Sequence, residues 1–167
     1  MQLRIAARSI RPAGFTLVEL MVVVAIATIL LAVAVPSYIS YVRQSRRTEA
    51  RTAVLDLAGR EERYFSTNGA SYTNAPANVG YTGAWPIAIG TNYYQVTVCV
   101  PANANCTAGL GMPSPPAQPS YTVVATPVAG QSQVNDTQCG AFAVDSVGQQ
   151  YAITSAGASN TAYCWAN

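Results

Sequence analysis

The chain has 167 residues, half of them hydrophobic and only 10% charged, and it contains neither histidine nor lysine. No basic residue follows Arg63, and the acidic residues beyond it are Asp136 and Asp145. This distribution excludes an acid–base pair, a catalytic triad or a histidine-containing metal cluster there, so we expect no enzyme activity, no metal and no cofactor. We interpret the two aspartates as solvated loop carboxylates rather than as Ca²⁺ ligands.

The amino terminus is basic and precedes a long apolar run. Residues 1–14 contain three arginines and no acid, a pattern that keeps this end of a membrane segment in the cytoplasm. A secretory signal has its small-residue cleavage site after the apolar core, but the residues after Val35 fit such a site poorly. The small pair Ala13-Gly14 lies before the core instead, and cleavage there would leave Phe15 as a first residue with a free amine.

The apolar run extends from Phe15 to Val35, and as a helix it would span roughly 30 Å, the thickness of a bilayer's hydrocarbon core. Glu19 is its one charged residue. A carboxylate near the end of such a segment costs on the order of 1–3 kcal/mol, so we expect its partner to come from outside this helix, on a copy or a relative of the chain. The alternative is a simple signal peptide or single-span anchor that tolerates a protonated Glu19.

Residues 13–20, Ala-Gly-Phe-Thr-Leu-Val-Glu-Leu, resemble the class III signal of type IV pilins and pseudopilins. The order of the basic leader, the glycine, the phenylalanine, the glutamate and the apolar run makes this motif highly specific. The resemblance implies that a prepilin peptidase cuts after Gly14 and N-methylates Phe15. It also implies that Glu19 serves assembly by pairing with the amino terminus of a neighbouring subunit.

Pro36 matches a position of the same family, at the end of the anchor, where the helix bends or loosens in the filament. The resemblance continues into residues 47–53 and the carboxy-terminal cysteines, and within the family it is nearest to PilE-type minor pilins. It implies three segments. These are a cleaved leader (1–14), a transmembrane and filament-core helix (15–36), and an amphipathic helix with a globular β-sheet head (37–167).

Beyond Pro36 the chain keeps a helical period up to Asn68-Gly69, a pair typical of a helix end. A stripe recurs at three- and four-residue steps and is apolar except for one acid: Ala50, Ala53, Val54, Leu57, Glu61, Tyr64 and Phe65. The other face is charged: Arg46, Arg47, Glu49, Arg51, Asp56, Arg60, Glu62 and Arg63. Spacing predicts the ion pairs Glu49–Arg46 and Asp56–Arg60. We predict one helix from Phe15 to about Thr67, with its stripe packed on a sheet.

Strand candidates follow a connection over residues 70–91, which is long enough to contain a short helix or strand. The candidates are Tyr93–Val100, Tyr121–Pro127, Ala141–Ser146 and Gln149–Thr154, with Val147-Gly148 as the turn between the last two. The predicted fold is α+β and resembles the type IV pilin fold. A long amino-terminal α-helix packs on a four-stranded antiparallel β-sheet, and a disulfide closes the carboxy-terminal region.

Four cysteines, Cys99, Cys106, Cys139 and Cys164, lie in the part expected outside the cytoplasm, where an even number indicates two disulfides. Three pairings are possible. We favour Cys99–Cys106, which would close a short loop, with Cys139–Cys164, which would resemble the D-region disulfide of type IV pilins. Zinc lacks support, because the chain has no histidine and no tight C-x-x-C pair.

The resemblance implies a structural role, as a minor subunit of a type IV pilus that serves twitching motility, cell adhesion or DNA uptake. It implies residence in the bacterial inner membrane, processing by prepilin peptidase, and transfer by the pilus assembly platform into an extracellular filament of pilin subunits. One alternative is a pseudopilin of a type II secretion system. The disulfide-closed tail favours the pilin.

Another alternative is a DNA-receptor pilin. Sequence-independent DNA binding needs clustered Lys or Arg, and the head has none after Arg63. Binding would therefore depend on the arginines of the helix, Arg46, Arg47, Arg51, Arg60 and Arg63, and the composition argues against a nucleic-acid partner. Five tyrosines could form a contact surface for a host ligand, although we favour core or filament packing for them: Tyr72, Tyr81, Tyr93, Tyr94 and Tyr121.

Overall fold

The computed structural model describes residues 14–101, 110, 112 and 119–166. The described residues form two compact units, one up to Ser40 and one from Tyr41 onward. Helix α1, Leu17–Thr67, begins in the first unit and ends in the second. Cys106 lies outside the described residues, so its pairing with Cys99 stays a prediction.

The first unit is built on the amino-terminal part of α1. A helix satisfies its backbone hydrogen bonds internally, which a segment in lipid requires. Among the described helices, α1 is the one long and apolar enough to cross a membrane, judged by length and composition. The helix is continuous and contains Pro36, so the bend or loosening expected at this residue stays a prediction about the filament.

In the second unit, the head, α1 packs the predicted stripe against a sheet. The buried residues of this part of the helix are Arg47, Ala50, Val54, Leu57, Ala58 and Glu61. The helix ends at Thr67, next to the predicted stop. Gly69 has a φ of 70°, and the Ala70 N–H donates to the Phe65 carbonyl at 3.2 Å, which is the Schellman arrangement for ending a helix.

The head contains one antiparallel sheet in which every strand pairs with its neighbour in sequence. It has five strands: β1 (Ile87–Ile89), β2 (Tyr94–Cys99), β3 (Thr122–Pro127), β4 (Ala141–Asp145) and β5 (Gln150–Ile153). The predicted count of four was wrong, because β1 was not identified as a strand. It has only three residues and follows a proline, too short a segment for its alternation to be recognised.

The two faces of the sheet are both covered. On one face, Tyr94, Val96 and Val98 of β2 are fully buried in the same cluster as Val54 and Leu57 of α1. On the other face lies a second cluster: Cys99, Met112, Val124, Ala141, Ala143 and Ile153. Strands β3 and β4 therefore bury side chains at consecutive positions instead of alternating between buried and exposed.

A short carboxy-terminal helix, α2 (Thr161–Ala166), closes the head against β5. The structure contains the disulfide Cys139–Cys164, which joins α2 to the segment before β4. The Trp165 indole N–H donates to the Tyr151 carbonyl at 3.0 Å. The chain end is thus held to the head by the disulfide and by hydrogen bonds to β5, which include those between Thr161 and Ala152 and from the Asn160 N–H to the Ala152 carbonyl.

Candidate assembly site

The residues of the expected cleavage site lie in front of α1. Gly14 and Phe15 are both exposed, and the Phe15 side chain keeps 83% of its surface accessible. A Cβ added at Gly14 would have no atom within 4 Å, so the fold of this chain does not by itself require glycine at this position.

Thr16 and Glu19 form the first turn of α1. The Glu19 N–H donates to Thr16 Oγ1 at 3.2 Å, and the Leu20 N–H donates to the Thr16 carbonyl at 3.2 Å. Thr16 is therefore the N-cap, and the spacing Thr-x-x-Glu is that of a capping box. We did not predict a role for Thr16, although this spacing is visible in the sequence. The cap places the lone carboxylate at the helix end, where the helix dipole favours negative charge.

The anchor part of α1 exposes its side chains on all sides. Among the described residues, no hydrogen bond or ion pair is formed by the Glu19 carboxylate. It is surrounded by exposed apolar residues that continue along the helix: Phe15, Leu17, Val18, Leu20, Met21, Val22, Val23, Val24, Ile26, Ile29, Leu30, Leu31, Val33 and Val35. An exposed apolar surface of this extent marks contact with lipid or with other protein chains.

In the head, a buried ion pair joins α1 to the segment before β4. Arg47 Nε and Nη2 donate to the two carboxylate oxygens of Asp136 at 2.7 and 2.8 Å. The residues keep 6% and 2% of their surface accessible. The hydrogen bonds from Arg47 to Asp136 raise the pKa of the guanidinium above its ordinary value, against the opposing effect of burial. The Arg47 guanidinium is therefore charged at any physiological pH.

Asp136 also organises the backbone around the disulfide. Its carboxylate accepts hydrogen bonds from the backbone N–H groups of Gln138 (3.2 Å) and Cys139 (3.3 Å) and from the Gln133 side chain (3.1 Å). Our interpretation of Asp136 and Asp145 as solvated loop carboxylates was wrong, because both are buried. Both aspartates lie near turn residues in the sequence, which suggested that they are exposed to solvent. The partner of Asp136 lies 89 residues earlier in the sequence, so no local pattern could indicate it.

Asp145 has a local role. Its carboxylate accepts from the N–H groups of Val147 (3.1 Å) and Gln149 (2.8 Å) and from the Tyr151 hydroxyl (2.9 Å). These bonds hold the predicted turn between β4 and β5, where Gly148 has a φ of 80°. Among the described residues, no group of three or more His, Cys, Asp or Glu is placed to hold a metal ion.

The arginines considered for DNA binding mostly have partners within the chain. Arg46 donates to Ser132 Oγ at 2.8 Å, with its guanidinium 3.4 Å from the Tyr93 ring centre. Arg51 donates to the Trp165 carbonyl at 3.1 Å. Arg60 forms the predicted ion pair with Asp56 at 2.7 Å. Arg63 differs from these, because its guanidinium has no partner among the described residues.

The predicted ion pair between Glu49 and Arg46 was wrong. Glu49 instead accepts from the Thr91 N–H at 2.6 Å and the Thr91 hydroxyl at 2.7 Å, and these two donors bind both of its carboxylate oxygens. Gly90 permits this approach, because a Cβ there would overlap the carboxylate. Glu49 therefore binds the donors of Thr91, in a distant loop, rather than Arg46, which lies at favourable spacing in the same helix.

The tyrosines and Glu61 belong to the core of the head. Tyr94 and Tyr121 are buried, and the other three, Tyr72, Tyr81 and Tyr93, are partly buried against the same cluster. Glu61 is fully buried, and its carboxylate accepts from the Thr73 N–H at 3.1 Å. Burial raises the pKa of Glu61 to about 7. The stripe of α1 therefore contains an acid that is partly protonated near neutral pH.

Comparisons with known families cover both units. A family model described as "Type IV minor pilin ComP, DNA uptake sequence receptor" matches residues 36–143, more than half of the chain. A model of the prokaryotic N-terminal methylation motif matches residues 11–35. The two matched segments adjoin at the end of the apolar run.

Two characterised relatives are similar over part of the chain. The type IV major pilin protein PilA of Myxococcus xanthus (strain DK1622) is 35% identical over 79 residues, 47% of this chain and 36% of the relative. Fimbrial protein EcpC of Eikenella corrodens is 41% identical over 70 residues, 41% of this chain and 46% of the relative. The alignments thus span less than half of either relative. A type IV pilin structure from Shewanella oneidensis matches 65% of this chain and 89% of its own, with 22% identity and a TM-score of 0.39.

Proposed function

On the premise that this chain belongs to the family of type IV minor pilins described as ComP, DNA uptake sequence receptor, we propose that it is a structural subunit of a type IV pilus. One observation carries the proposal. An apolar helix with exposed side chains bears one carboxylate, Glu19, in its first turn, directly after the Gly14-Phe15 pair. Such a helix needs lipid or other helices around it, and its carboxylate needs a cation from another molecule.

The proposed route begins in the bacterial inner membrane. Prepilin peptidase removes residues 1–14 by cutting after Gly14 and methylates the new amino terminus at Phe15. The mature chain keeps the anchor helix (15–36) and the head (37–167), and the assembly platform transfers it to an extracellular filament. There it serves motility, adhesion or DNA uptake. The match to the N-terminal methylation motif supports the first steps of this route.

The proposed assembly contact is an ion pair between Glu19 of one subunit and the Phe15 amine of another. In the apolar core of a filament the desolvation cost of the two charges offsets much of their attraction, so the pair contributes little net stability. It contributes axial register instead, because no other position along the run carries a charge. A subunit shifted along the axis would leave both charges buried and unpaired.

The experiment that tests this contact replaces Glu19 by alanine in the full chain. We expect normal insertion into the inner membrane but loss of the chain from sheared filaments. The matched control is Thr28→Ala, because the Thr28 hydroxyl donates to the Val24 carbonyl of its own helix at 2.8 Å and needs no other molecule. Wild-type filament content in Glu19→Ala would reject the proposed contact.

A second experiment tests processing. Gly14→Glu should leave the leader attached, and mass spectrometry of the membrane fraction should find the larger chain without methylation. Phe15 lies next to the altered bond, so Phe15→Leu serves as a control for a general disturbance of the segment. A processed chain of mature mass in Gly14→Glu would place the cleavage site elsewhere.

DNA uptake is the second candidate function, and the description of the matching family favours it. The charge distribution opposes it, because the arginines Arg46, Arg47, Arg51 and Arg60 are engaged within the chain. A gel shift of duplex DNA with the detergent-solubilised chain at increasing salt tests it. A receptor that uses several phosphates loses affinity steeply with salt. Binding without salt dependence, or no binding, would remove this candidate.

A further inference from the structure

A polar pocket of about 240 Å³ lies where α1 ends, beside a 3₁₀ turn formed by Pro76–Val79. Its polar lining consists of Arg60, Arg63, Tyr64, Thr67, Asn68 and Asn78. Among the described residues that line it there are two cations, two amides and two hydroxyls, and there is no carboxylate. Its lining is thus basic, in a head whose sequence after Arg63 contains no cation.

Arg60 forms a fixed wall of this pocket. Its Nε donates to Asp56 at 2.7 Å, and its Nη1 donates to the Val79 carbonyl at 3.1 Å. Gly80, with a φ of 80°, allows this approach, because a Cβ there would lie 2.8 Å from Arg60 Nη1. Asp56 compensates the charge of Arg60, so this side chain supplies shape and hydrogen-bond donors rather than net charge.

Arg63 supplies the net charge. Its side chain is exposed, and among the described residues its guanidinium has neither an ion-pair nor a hydrogen-bond partner. A guanidinium presents five N–H donors in a planar fork that fits a carboxylate, sulfate or phosphate with two parallel hydrogen bonds. The pocket therefore offers a place for one anionic group.

The remaining polar groups suit hydroxyls. Asn68 Nδ2 donates to the Tyr64 carbonyl at 3.0 Å, and Asn78 Nδ2 donates to Thr73 Oγ1 at 3.0 Å and to the Tyr64 hydroxyl at 3.3 Å. Because both amide nitrogens are used inside the protein, the carbonyl oxygens of these asparagines are left to accept from a ligand. The Tyr64 hydroxyl accepts from Asn78, so its own proton is left to be donated.

We propose that this pocket binds the terminal residue of an acidic saccharide, with its carboxylate or sulfate on Arg63 and its hydroxyls on Asn68, Asn78 and Tyr64. A sugar ring offers this combination, because each hydroxyl both donates and accepts and one substituent carries the charge. The volume suits a single ring. This binding goes beyond the role of a filament subunit, and it does not depend on the Glu19 contact.

Duplex DNA fits the pocket less well than an acidic sugar. Affinity for a duplex grows with the number of phosphates that a protein neutralises. Here Arg63 is the uncompensated cation of the pocket, and Arg60 is neutralised by Asp56. The amide carbonyls at the rim would also face phosphate oxygens, which have no proton to donate. A single charged substituent on a hydroxylated ring satisfies both features.

Isothermal titration of the detergent-solubilised full chain tests the proposal with four probes on equal terms. These are lactose, 3′-sialyllactose, lactose 3′-sulfate and a short DNA duplex. We expect at least one acidic lactose to bind about tenfold more tightly than lactose, a difference of about 1.4 kcal/mol. The two acidic probes distinguish a carboxylate from a sulfate as the preferred group.

Variants locate the binding. Arg63→Gln should weaken the acidic probe about tenfold, and Arg43→Gln should leave it unchanged, because it makes the same charge change on the same helix outside the pocket. Asn78→Asp, which adds a negative charge to the lining, should weaken the acidic probe more than it weakens lactose. The proposal is overturned if lactose binds as tightly as its acidic forms, if Arg63→Gln binds like wild type, or if only DNA binds.

Discussion

In the anchor part of α1, residues 17–40, Glu19 is the one charged residue and its carboxylate has no partner among the described residues. In the head part, residues 41–67, Arg47 is buried instead, and Asp136 of the same chain neutralises it. One helix thus contains a charge whose partner is supplied within the fold and a charge whose partner we propose lies on another molecule.

The difference shows that the cost of placing a charge in an apolar environment can make either folding or assembly depend on a counter-ion. A charge in an apolar environment requires a counter-ion, and the place where that counter-ion lies decides which process depends on it. The Arg47–Asp136 pair forms when the head folds. In our proposal, the Glu19 carboxylate is paired when subunits meet. Mutations of the head pair should therefore change stability, and mutation of Glu19 should leave the head intact.

The largest expected effect on stability comes from Asp136→Ala. It leaves the Arg47 guanidinium buried without its carboxylate and removes an acceptor from two backbone N–H groups, so we expect a loss of about 3–5 kcal/mol. Thermal unfolding of the detergent-solubilised chain, followed by circular dichroism, measures it. Glu19→Ala is the matched control, with unchanged unfolding of the head. A similar loss in both variants would contradict the contrast between the two parts of α1.

Combining Asp136→Ala with Arg47→Met sharpens this result. The double variant has no unpaired charge and keeps apolar volume at the helix position, so it should recover a large part of the lost stability. If the double variant is as unstable as Asp136→Ala, the backbone hydrogen bonds to Asp136, rather than the ion pair, hold this region together.

The separation in sequence between interacting residues decides which parts of the fold could be predicted. The stripe of α1, the helix end at Asn68-Gly69 and strands β2–β5 depend on local periodicity and turn residues, and the structure contains them. The burial of Arg47 with Asp136 could not be predicted, because the pair joins residues 89 positions apart. Strand β1 was missed because three residues carry no measurable alternation.

The candidate sites also differ in whether local sequence indicates them. Gly14, Phe15 and Glu19 belong to one short motif, so the sequence alone indicated it. The Thr16 cap could have been found from the spacing Thr-x-x-Glu. The polar pocket at the end of α1 could not have been found from the sequence, because it lies between the end of α1 and the turn at Pro76–Val79. Arg63 was noticed as the last cation of the sequence and as one of the helix arginines considered for DNA binding.

Removing the disulfide should cost somewhat less than removing Asp136. Cys139 and Cys164 close a loop with a sequence separation of 25, for which the chain-entropy model gives roughly 3 kcal/mol. The variant Cys139→Ala/Cys164→Ala, measured by the same unfolding experiment, should lose that amount and should also loosen α2. Hydrogen exchange of residues 161–166 should rise before that of β3. Equal protection of α2 in both proteins would mean that hydrogen bonds, rather than the disulfide, hold the chain end.

The pH dependence of the head should reveal Glu61. Because burial raises its pKa from 4.5 to about 7, the unfolded chain ionises first, and the folded state loses stability as pH rises from about 4.5 to 7. The full change is about 3 kcal/mol. Glu61→Gln should match wild type near pH 4.5 and exceed it in stability by that amount at pH 8. Glu62→Gln, at the exposed neighbour, is the control. Parallel curves for wild type and Glu61→Gln would show that Glu61 is not the group responsible.

The smallest expected effects on stability come from two glycines, one within the head part of α1 and one just after its end. Gly59 lies within the helix with no atom within 4 Å of an added Cβ, so Gly59→Ala should stabilise the head by about 1 kcal/mol. Gly69 ends the helix with a φ of 70°, and Gly69→Ala should destabilise it by about 1 kcal/mol, because an L side chain is strained there. The same substitution at the two positions should thus shift the unfolding midpoint in opposite directions. Shifts of one sign would show that contacts of the added methyl groups, rather than the backbone conformation at each position, set these energies.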